Sequence, residues 1–370
     1  MIASLYIHIP FCNTLCDYCD FYSVTTKSLK NNDIDNFLSV LITEIKNKID
    51  YFNVKEIPTV YIGGGTPSVL GKKIRLLFDV LKAIPSFKPV EFTIEANPES
   101  ISEVFLGECI DGGVNRLSLG VQTFHEPSRF AVNRGGNKDI ILKQLTLASN
   151  YFSGDKTGKT LSIDLITGLP YQNEKIVTDD IKRVLDFSPV HISLYSLSVE
   201  KDTVLEKKIN DKTLFLPAND YSDNLWLTGR DSLIHAGFEH YEVSNFALPQ
   251  NRCLHNIRYW QMDNWLGAGP TASGTIINEK NGSAKRFTNE KLGIRNEGLF
   301  TCEELDRNSL MKETLLMGFR CKEGPDTEKF YRRFGCKIDD CIPQTIKRWE
   351  GKDKMLFLNS FLTEAFAELD

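Results

Sequence analysis

The chain has 370 residues, 41% of them hydrophobic and 25% charged, with a formal net charge of −5. These are ordinary globular values, with room for one large domain plus a smaller one, and they argue against a basic nucleic-acid surface. No apolar run approaches about 18 residues and the N-terminus lacks a cationic, apolar leader, so no membrane span or signal peptide is expected and the nine cysteines are expected as reduced cytoplasmic thiols.

In chain order, a β-rich run at residues 5–9 leads directly into Cys12, Cys16 and Cys19, spaced C-x3-C-x2-C on one loop, with Phe21 where a fourth cysteine could stand. Free cysteines rarely gather so tightly, and in a reducing compartment such a cluster points to metal before disulfide. A zinc site usually takes four protein ligands, often as two C-x2-C pairs. Three thiolates leave a tetrahedral ion, or one iron of a four-iron cluster, with a position to be filled from elsewhere.

A helical stripe of Ile34, Phe37, Leu38, Leu41, Ile45, Ile49 and Phe52 follows. Strands are predicted at 59–62, 91–95, 116–121, 161–166 and 191–197, alternating with helical stripes at 74–84, 101–110, 139–152 and 177–187. Six β-α units call for a parallel sheet with helical crossovers, and at this spacing for an incomplete barrel. The strands end in polar residues: Gly63, Gly64, Gly65 and Thr66, then Glu95 with Asn97, then Gln122, Asp164 and Ser196. One such ending would be a cap or a turn. Five in succession, at the C-terminal ends of parallel strands, predict a shared site. The glycine run would let main-chain groups approach a ligand closely.

After about residue 205 the pattern changes, so the chain divides into 1–205 and 206–370 with a soft boundary at 205–215. A helix is predicted over 218–235, then a strand-like run in "GFEHYEVSNFA", then "NRCLHNIRYWQMDNWLGAGPTASG". From Cys302 onward the pattern reads as mostly helical, ending in an amphipathic helix. Cys302, Cys321, Cys336 and Cys341 are irregularly spaced and read as ordinary cysteines; His8, His125, His191, His235 and His240 read as structural or surface residues.

The motif C-x3-C-x2-C with Tyr18 before its last cysteine resembles the radical S-adenosylmethionine (SAM) enzymes. The blocks "YIHIPFC", "YIGGGTPS", "IEANPE", "NRLSLGVQTF", "IDLITGLP" and "HISLYSL" resemble, in order, one branch of that superfamily. That branch holds the oxygen-independent coproporphyrinogen III oxidases and the related haem chaperones, and the match runs over nearly the whole chain. The resemblance implies an α/β fold: an incomplete parallel (β/α)6 radical-SAM barrel, followed by a smaller, mainly helical α+β C-terminal domain like that of the oxidases. It implies that Cys12, Cys16 and Cys19 hold a [4Fe–4S] cluster whose fourth iron is taken by SAM, so the series stops at three. By the same similarity Tyr6, Tyr18, Gly64, Gly65, Thr66, Glu95, Gln122, Arg134 and Asp164 contact SAM, Arg134 being suited to a carboxylate.

Within the branch, the oxidases usually carry a further cysteine where this chain has Phe21, and they have a longer segment before the cluster. "HNIRYW", with His255, Asn256, Tyr259 and Trp260, matches the H-N-x-x-Y-W motif associated with haem in the chaperones. An imidazole is a common axial ligand, and Tyr259, Trp260 and Trp265 could pack against a macrocycle. Cys253 is a less apt ligand. The chain departs from the chaperones at "NRGGN", where Gly136 replaces a frequent histidine and is expected to loosen the loop, and at Thr167, which stands for a tyrosine. The expected function is a haem chaperone that passes haem to membrane or respiratory acceptors by transient contact, without coproporphyrinogen oxidase activity. The alternatives are the oxidase itself, which decarboxylates two propionates of its substrate, and a cluster-bearing regulator.

Overall fold

The computed structural model describes residues 1–153, 158–291 and 300–369. Six parallel strands lie side by side in chain order: β1 (Ser4–Ile9), β2 (Ile57–Gly64), β3 (Phe87–Ala96), β4 (Arg116–Gln122), β5 (Thr160–Thr167) and β6 (His191–Ser196). Each matches a run predicted from sequence. The crossovers carry α1 (Asp33–Tyr51), α2 (Ile74–Ala83), α3 (Glu103–Gly112), α4 (Glu126–Ala131), α5 (Lys138–Phe152) and α6 (Glu174–Leu185). Helix starts follow their caps: Ser102, Asn137 and Asn173 each accept from the amide three residues on.

The two-residue period of the strands divides their side chains between two faces. Leu5, Ile7, Val60, Ile62, Phe92, Ile94, Leu117 and Leu119 are buried in the large core with the helical stripes. The alternate positions are polar and also buried: Ser4, Thr59, Glu91, Thr93, Arg116, Ser118, Ser162, His191 and Ser193. The concave side of the sheet is therefore a polar lumen. Among the described residues the sheet does not close on itself, as an incomplete barrel should not.

Beyond residue 205 the helix expected over 218–235 and the strand-like run after it are present, and strands are added to both edges of this unit. A hairpin of β7 (Glu239–Glu242) and β8 (Asn245–Ala247) pairs antiparallel with β6. On the far side β9 (Trp265–Ala268) lies parallel to β1, and β10 (Ser273–Asn278), β11 (Ser283–Asn289) and β12 (Phe300–Leu305) continue antiparallel, giving twelve strands. Cys302 thus lies in a strand, correcting the helical expectation there; that strand carries no apolar alternation because all of it but Leu305 is exposed. Helices α7 (Val204–Asn210), α8 (Asn219–His235) and α9 (Leu254–Trp260) precede β9, and α10 (Arg307–Gly318), α11 (Thr327–Phe334) and α12 (Leu358–Leu369) follow β12. The last three enclose a second core around Leu310, Leu315, Phe330, Phe334 and Phe361. Among the described residues no helix is long and apolar enough to cross a membrane.

Helix α9 closes the lumen at the N-terminal ends of the strands. Glu91 of β3 accepts the backbone amides of Leu254 (3.0 Å) and His255 (2.8 Å), the first residues of α9. Arg116 of β4 pairs with Glu91 at 3.1 Å and donates to the carbonyls of Asn251 and Arg252. A helix N-terminus favours a carboxylate, so this floor is held by charge and dipole together.

Candidate functional site

At the opposite, C-terminal ends of the strands lies a cavity of about 610 Å3. Its wall includes Cys12, Cys16 and Cys19 on one side with Tyr18, and Gly64, Gly65 and Thr66 beside them. Glu95, Gln122, Arg134 and Asp164 complete it, and Phe21 stands at its mouth, 64% exposed. Of the twelve positions singled out with SAM or the cluster in mind, only Tyr6 lies outside this wall. The hydroxyl of Tyr6 meets His8 Nδ1 at 3.2 Å, and its ring stands 6.3 Å from that of Tyr61.

The glycines are required by the protein's own packing. A Cβ on Gly63 would lie 2.8 Å from the Glu95 carboxyl; one on Gly64, whose φ is +104°, would lie 2.4 Å from the His8 ring. One on Gly65 would meet the carbonyls of Ile9 and Phe11 at 2.9 Å. That closeness lets the amides of Gly65 and Thr66 donate to those same carbonyls at 2.8 Å, tying the cysteine loop to the end of β2.

The thiols are individually placed. Cys12 Sγ lies 3.4 Å from Thr66 Oγ1, and Arg134 Nη1 reaches Cys16 Sγ at 3.5 Å. Burial pushes the Cys12 thiol up and that of Cys19 up to about 11, so neither is a thiolate until something replaces its proton. Among the described residues no three His, Cys, Asp or Glu side chains come together as for one metal ion. A four-iron cluster makes no such demand, since each thiolate takes a different iron.

The polar wall is electrostatically prepared for a ligand. Desolvation pushes the Glu95 carboxyl up to about 7, against the hydrogen bonds it accepts from Tyr61 and the Gly64 amide, with Asp164 adding repulsion. Burial also raises Asp164, which accepts from Ser118 at 3.1 Å. Gln122 sits at a register shift between β4 and β5 with φ +68°, a costly backbone for a residue other than glycine. Its Oε1, and Arg134 Nε, are buried without a partner. Buried polar atoms are ordinarily paired, so two unpaired ones beside the carboxyls and thiols fit an amino-acid-like ligand that brings both donors and acceptors.

The loop expected to be loosened by Gly136 is instead pinned. Arg129, 1% exposed, donates to the carbonyls of Gly135 and Gly136 and to those of Val121 and Thr123. A Cβ on Gly135 would collide with Glu99, so the glycines admit that packing. Thr167 ends β5, donating to the Tyr195 carbonyl at 3.3 Å. Tyr61 and Ser118 were not singled out from the sequence, yet they hold Glu95 and Asp164. The signal was available: Tyr61 lies two residues before Gly63 in a predicted strand, hence on its inward face.

His255 lies apart from this cavity, in the barrel floor. It is 0% exposed, with Tyr259 at 4.7 Å and Tyr61 at 5.3 Å between ring centroids. Trp260 and Trp265 are buried as well, and the half-buried Tyr259 packs edge-on against the Trp265 ring at 4.9 Å.

The radical SAM superfamily profile matches residues 6–184, and the HemN C-terminal domain profile matches residues 305–359. The chain is 33% identical over 346 residues to the haem chaperone HemW of Lactococcus lactis subsp. lactis (strain IL1403), covering 93% of this chain and 88% of that one. It is 30% identical to the HemW of Bacillus subtilis (strain 168), covering 94% and 90%. It is 31% identical to the mitochondrial radical S-adenosyl methionine domain-containing protein 1 of Mus musculus, covering 90% and 76%. Coproporphyrinogen III oxidase (HemN) from Escherichia coli, described as a radical SAM enzyme, superimposes with a TM-score of 0.80 at 23% identity, covering 98% of this chain and 89% of that one, which shows a common fold. The chain therefore belongs to the radical SAM superfamily, within its HemW family.

Proposed function

We propose that this protein is a haem chaperone: it binds a [4Fe–4S] cluster, SAM and haem, and delivers haem to acceptor proteins, membrane-bound respiratory haemoproteins among them, from the cytoplasm. The observation that carries the cofactor half is the cavity in which three cysteines face two unpaired polar atoms and two carboxyls. The cargo half rests on the relatives named haem chaperones. In this reading residues 1–205 form the cluster and SAM unit and residues 206–370 the haem unit.

Cys12, Cys16 and Cys19 would each hold one iron. Tyr18, Gly64, Gly65 and Thr66 would line the methionine part of SAM, with Tyr6 behind them. Arg134 would donate to its carboxylate, Glu95 would accept from its amino group, and Gln122 and Asp164 would hold its remaining polar edges. When bound, the cluster supplies one-electron chemistry at the SAM sulfonium.

His255 would supply the haem ligand. Thr59 Oγ1 donates to Ser4 at 2.8 Å, so at the 2.9 Å contact between Thr59 and His255 Nδ1 the imidazole is the donor. That assigns the proton to Nδ1 and leaves a lone pair on Nε2, which is buried with no partner. An imidazole whose other nitrogen is fixed by a hydrogen bond is a prepared metal ligand. Because His255 is fully buried, haem capture requires α9 to leave the floor.

The test is anaerobic reconstitution, verified by iron content, then incubation with coproporphyrinogen III, SAM and a reductant. No porphyrin product is expected, while haem titration gives a complex that His255→Ala loses. Protoporphyrinogen formed over many turnovers would overturn the chaperone reading.

A further inference from the structure

Tyr61 belongs to both ends of the lumen. It stands on β2 between Thr59 and Gly63, facing inward. Its hydroxyl donates to Glu95 Oε1 at 2.7 Å, and the other Glu95 oxygen accepts the Gly64 amide at 3.2 Å. Its ring rests on the imidazole of His255, 5.3 Å away with 35° between the planes. Thus the carboxyl in the upper cavity is held by a side chain that is itself seated on the floor helix.

Glu95 has little else to keep it ionised. From the surrounding strands it faces Tyr6 on β1, Tyr61 on β2, Asp164 on β5 and Tyr195 on β6, none of them cationic. His255 on α9 stays neutral, because burial pushes it down to about 3. Arg134 acts on Asp164. A donor that remains in place when the carboxyl ionises stabilises the acceptor form; without it burial favours the protonated form.

We infer that Tyr61 is a positioning residue of the SAM site, holding Glu95 as an oriented carboxylate acceptor, and that His255 seats Tyr61 from below. The inference rests on the proposal that Glu95 accepts from SAM. It gives α9 a second part to play, as the support of the site at the other end of the barrel.

The test measures SAM affinity by equilibrium dialysis of the reconstituted full chain between pH 6 and 8.5, with iron content and circular dichroism as folding controls. Variants are Tyr61→Phe, Glu95→Gln, His255→Ala and His255→Phe. Wild-type affinity is expected to rise through about pH 7, with a titration that Glu95→Gln removes. Tyr61→Phe is expected to move that midpoint up by about one pH unit and so to weaken SAM about fivefold at pH 7. His255→Ala is expected to weaken SAM, and His255→Phe, which restores a ring behind Tyr61, to recover it. An unmoved midpoint in Tyr61→Phe, with affinity lowered equally at every pH or not at all, overturns the positioning role. Equal affinity in the two His255 variants overturns the seating. Wild-type affinity in Glu95→Gln overturns the reading of Glu95 itself, whatever Tyr61→Phe does.

Discussion

His255 Nδ1 lies 2.9 Å from Thr59 Oγ1 across 196 residues of chain, which places the "HNIRYW" segment beneath the parallel strands. A ligand can shift an equilibrium only by its differential affinity for the two states. In the proposed function, haem at His255 would favour an undocked α9, whereas a carboxyl held through Tyr61 would favour the docked one. Saturating SAM is therefore expected to weaken haem binding by severalfold, and haem to weaken SAM by the same factor, as linkage demands. Paired titrations of the reconstituted protein check this; independent affinities would contradict it.

The floor depends on Glu91, which serves two α9 amides and the Arg116 guanidinium at once. Both side chains of the pair are less than a tenth exposed. Removing one partner of such a pair leaves an uncompensated buried charge, which costs about 3–5 kcal/mol. Glu91→Ala is expected to lower apoprotein stability by that order and to open the 248–262 region to protease. Denaturant melts and cleavage mapping measure both, and the isosteric Glu91→Gln should fall between the variant and wild type.

The six parallel strands and the cysteine loop were legible because their signals are local: buried apolar runs of the right length, and three thiols within eight positions. Strands β10 to β12 were not, since β11 buries only Ala284 and Asn289 and β12 exposes every residue but Leu305, leaving neither an apolar face to read. The floor was illegible for another reason. Arg116 reaches Asn251 across 135 residues and His255 reaches Thr59 across 196, and no spacing within a motif encodes such contacts. The motif "HNIRYW" was read as rings that could pack against a macrocycle; in the fold His255 lies against Thr59 and Tyr61 of β2, Tyr259 against Trp265 of β9 and Trp260 against Tyr241 of β7, contacts that the local sequence does not mention. Gly135 and Gly136 misled similarly: glycine permits looseness, and the Arg129 guanidinium removes it.

Gly64 combines two demands, a φ of +104° and a Cβ position 2.4 Å from the His8 ring. A side chain there meets backbone strain of about 1–2 kcal/mol before any displacement of His8 is counted. His8 holds the Tyr22 carbonyl at 2.9 Å, just beyond the third cysteine, so that displacement would pass into the cluster loop. Gly64→Ala is expected to lose iron on reconstitution and to weaken SAM more than it lowers the melting temperature. Gly71→Ala, with positive φ but open space around it, is the control that should cost stability alone.

The two ends of the lumen titrate in opposite directions in the apoprotein. His255 falls from 6.5 to about 3 on folding, so between those values the unfolded chain holds a proton that the folded chain does not. Its contribution to stability is complete above pH 6.5 and declines as pH falls towards 3, by about 1.4 kcal/mol per pH unit. Glu95 rises from 4.5 to about 7, so between those values the folded chain holds the extra proton. Its contribution is complete below pH 4.5 and declines as pH rises through 7. His255→Phe should therefore flatten the acid side of the stability profile by about one proton, and Glu95→Gln should flatten the slope between pH 4.5 and 7 in the opposite sense. Chemical melts at half-unit pH intervals test both. A His255→Phe profile parallel to wild type below pH 6.5 would mean that the imidazole is charged in the folded state. That would require a floor wet enough to solvate it, and with it a route by which haem iron could reach Nε2 without α9 leaving its seat.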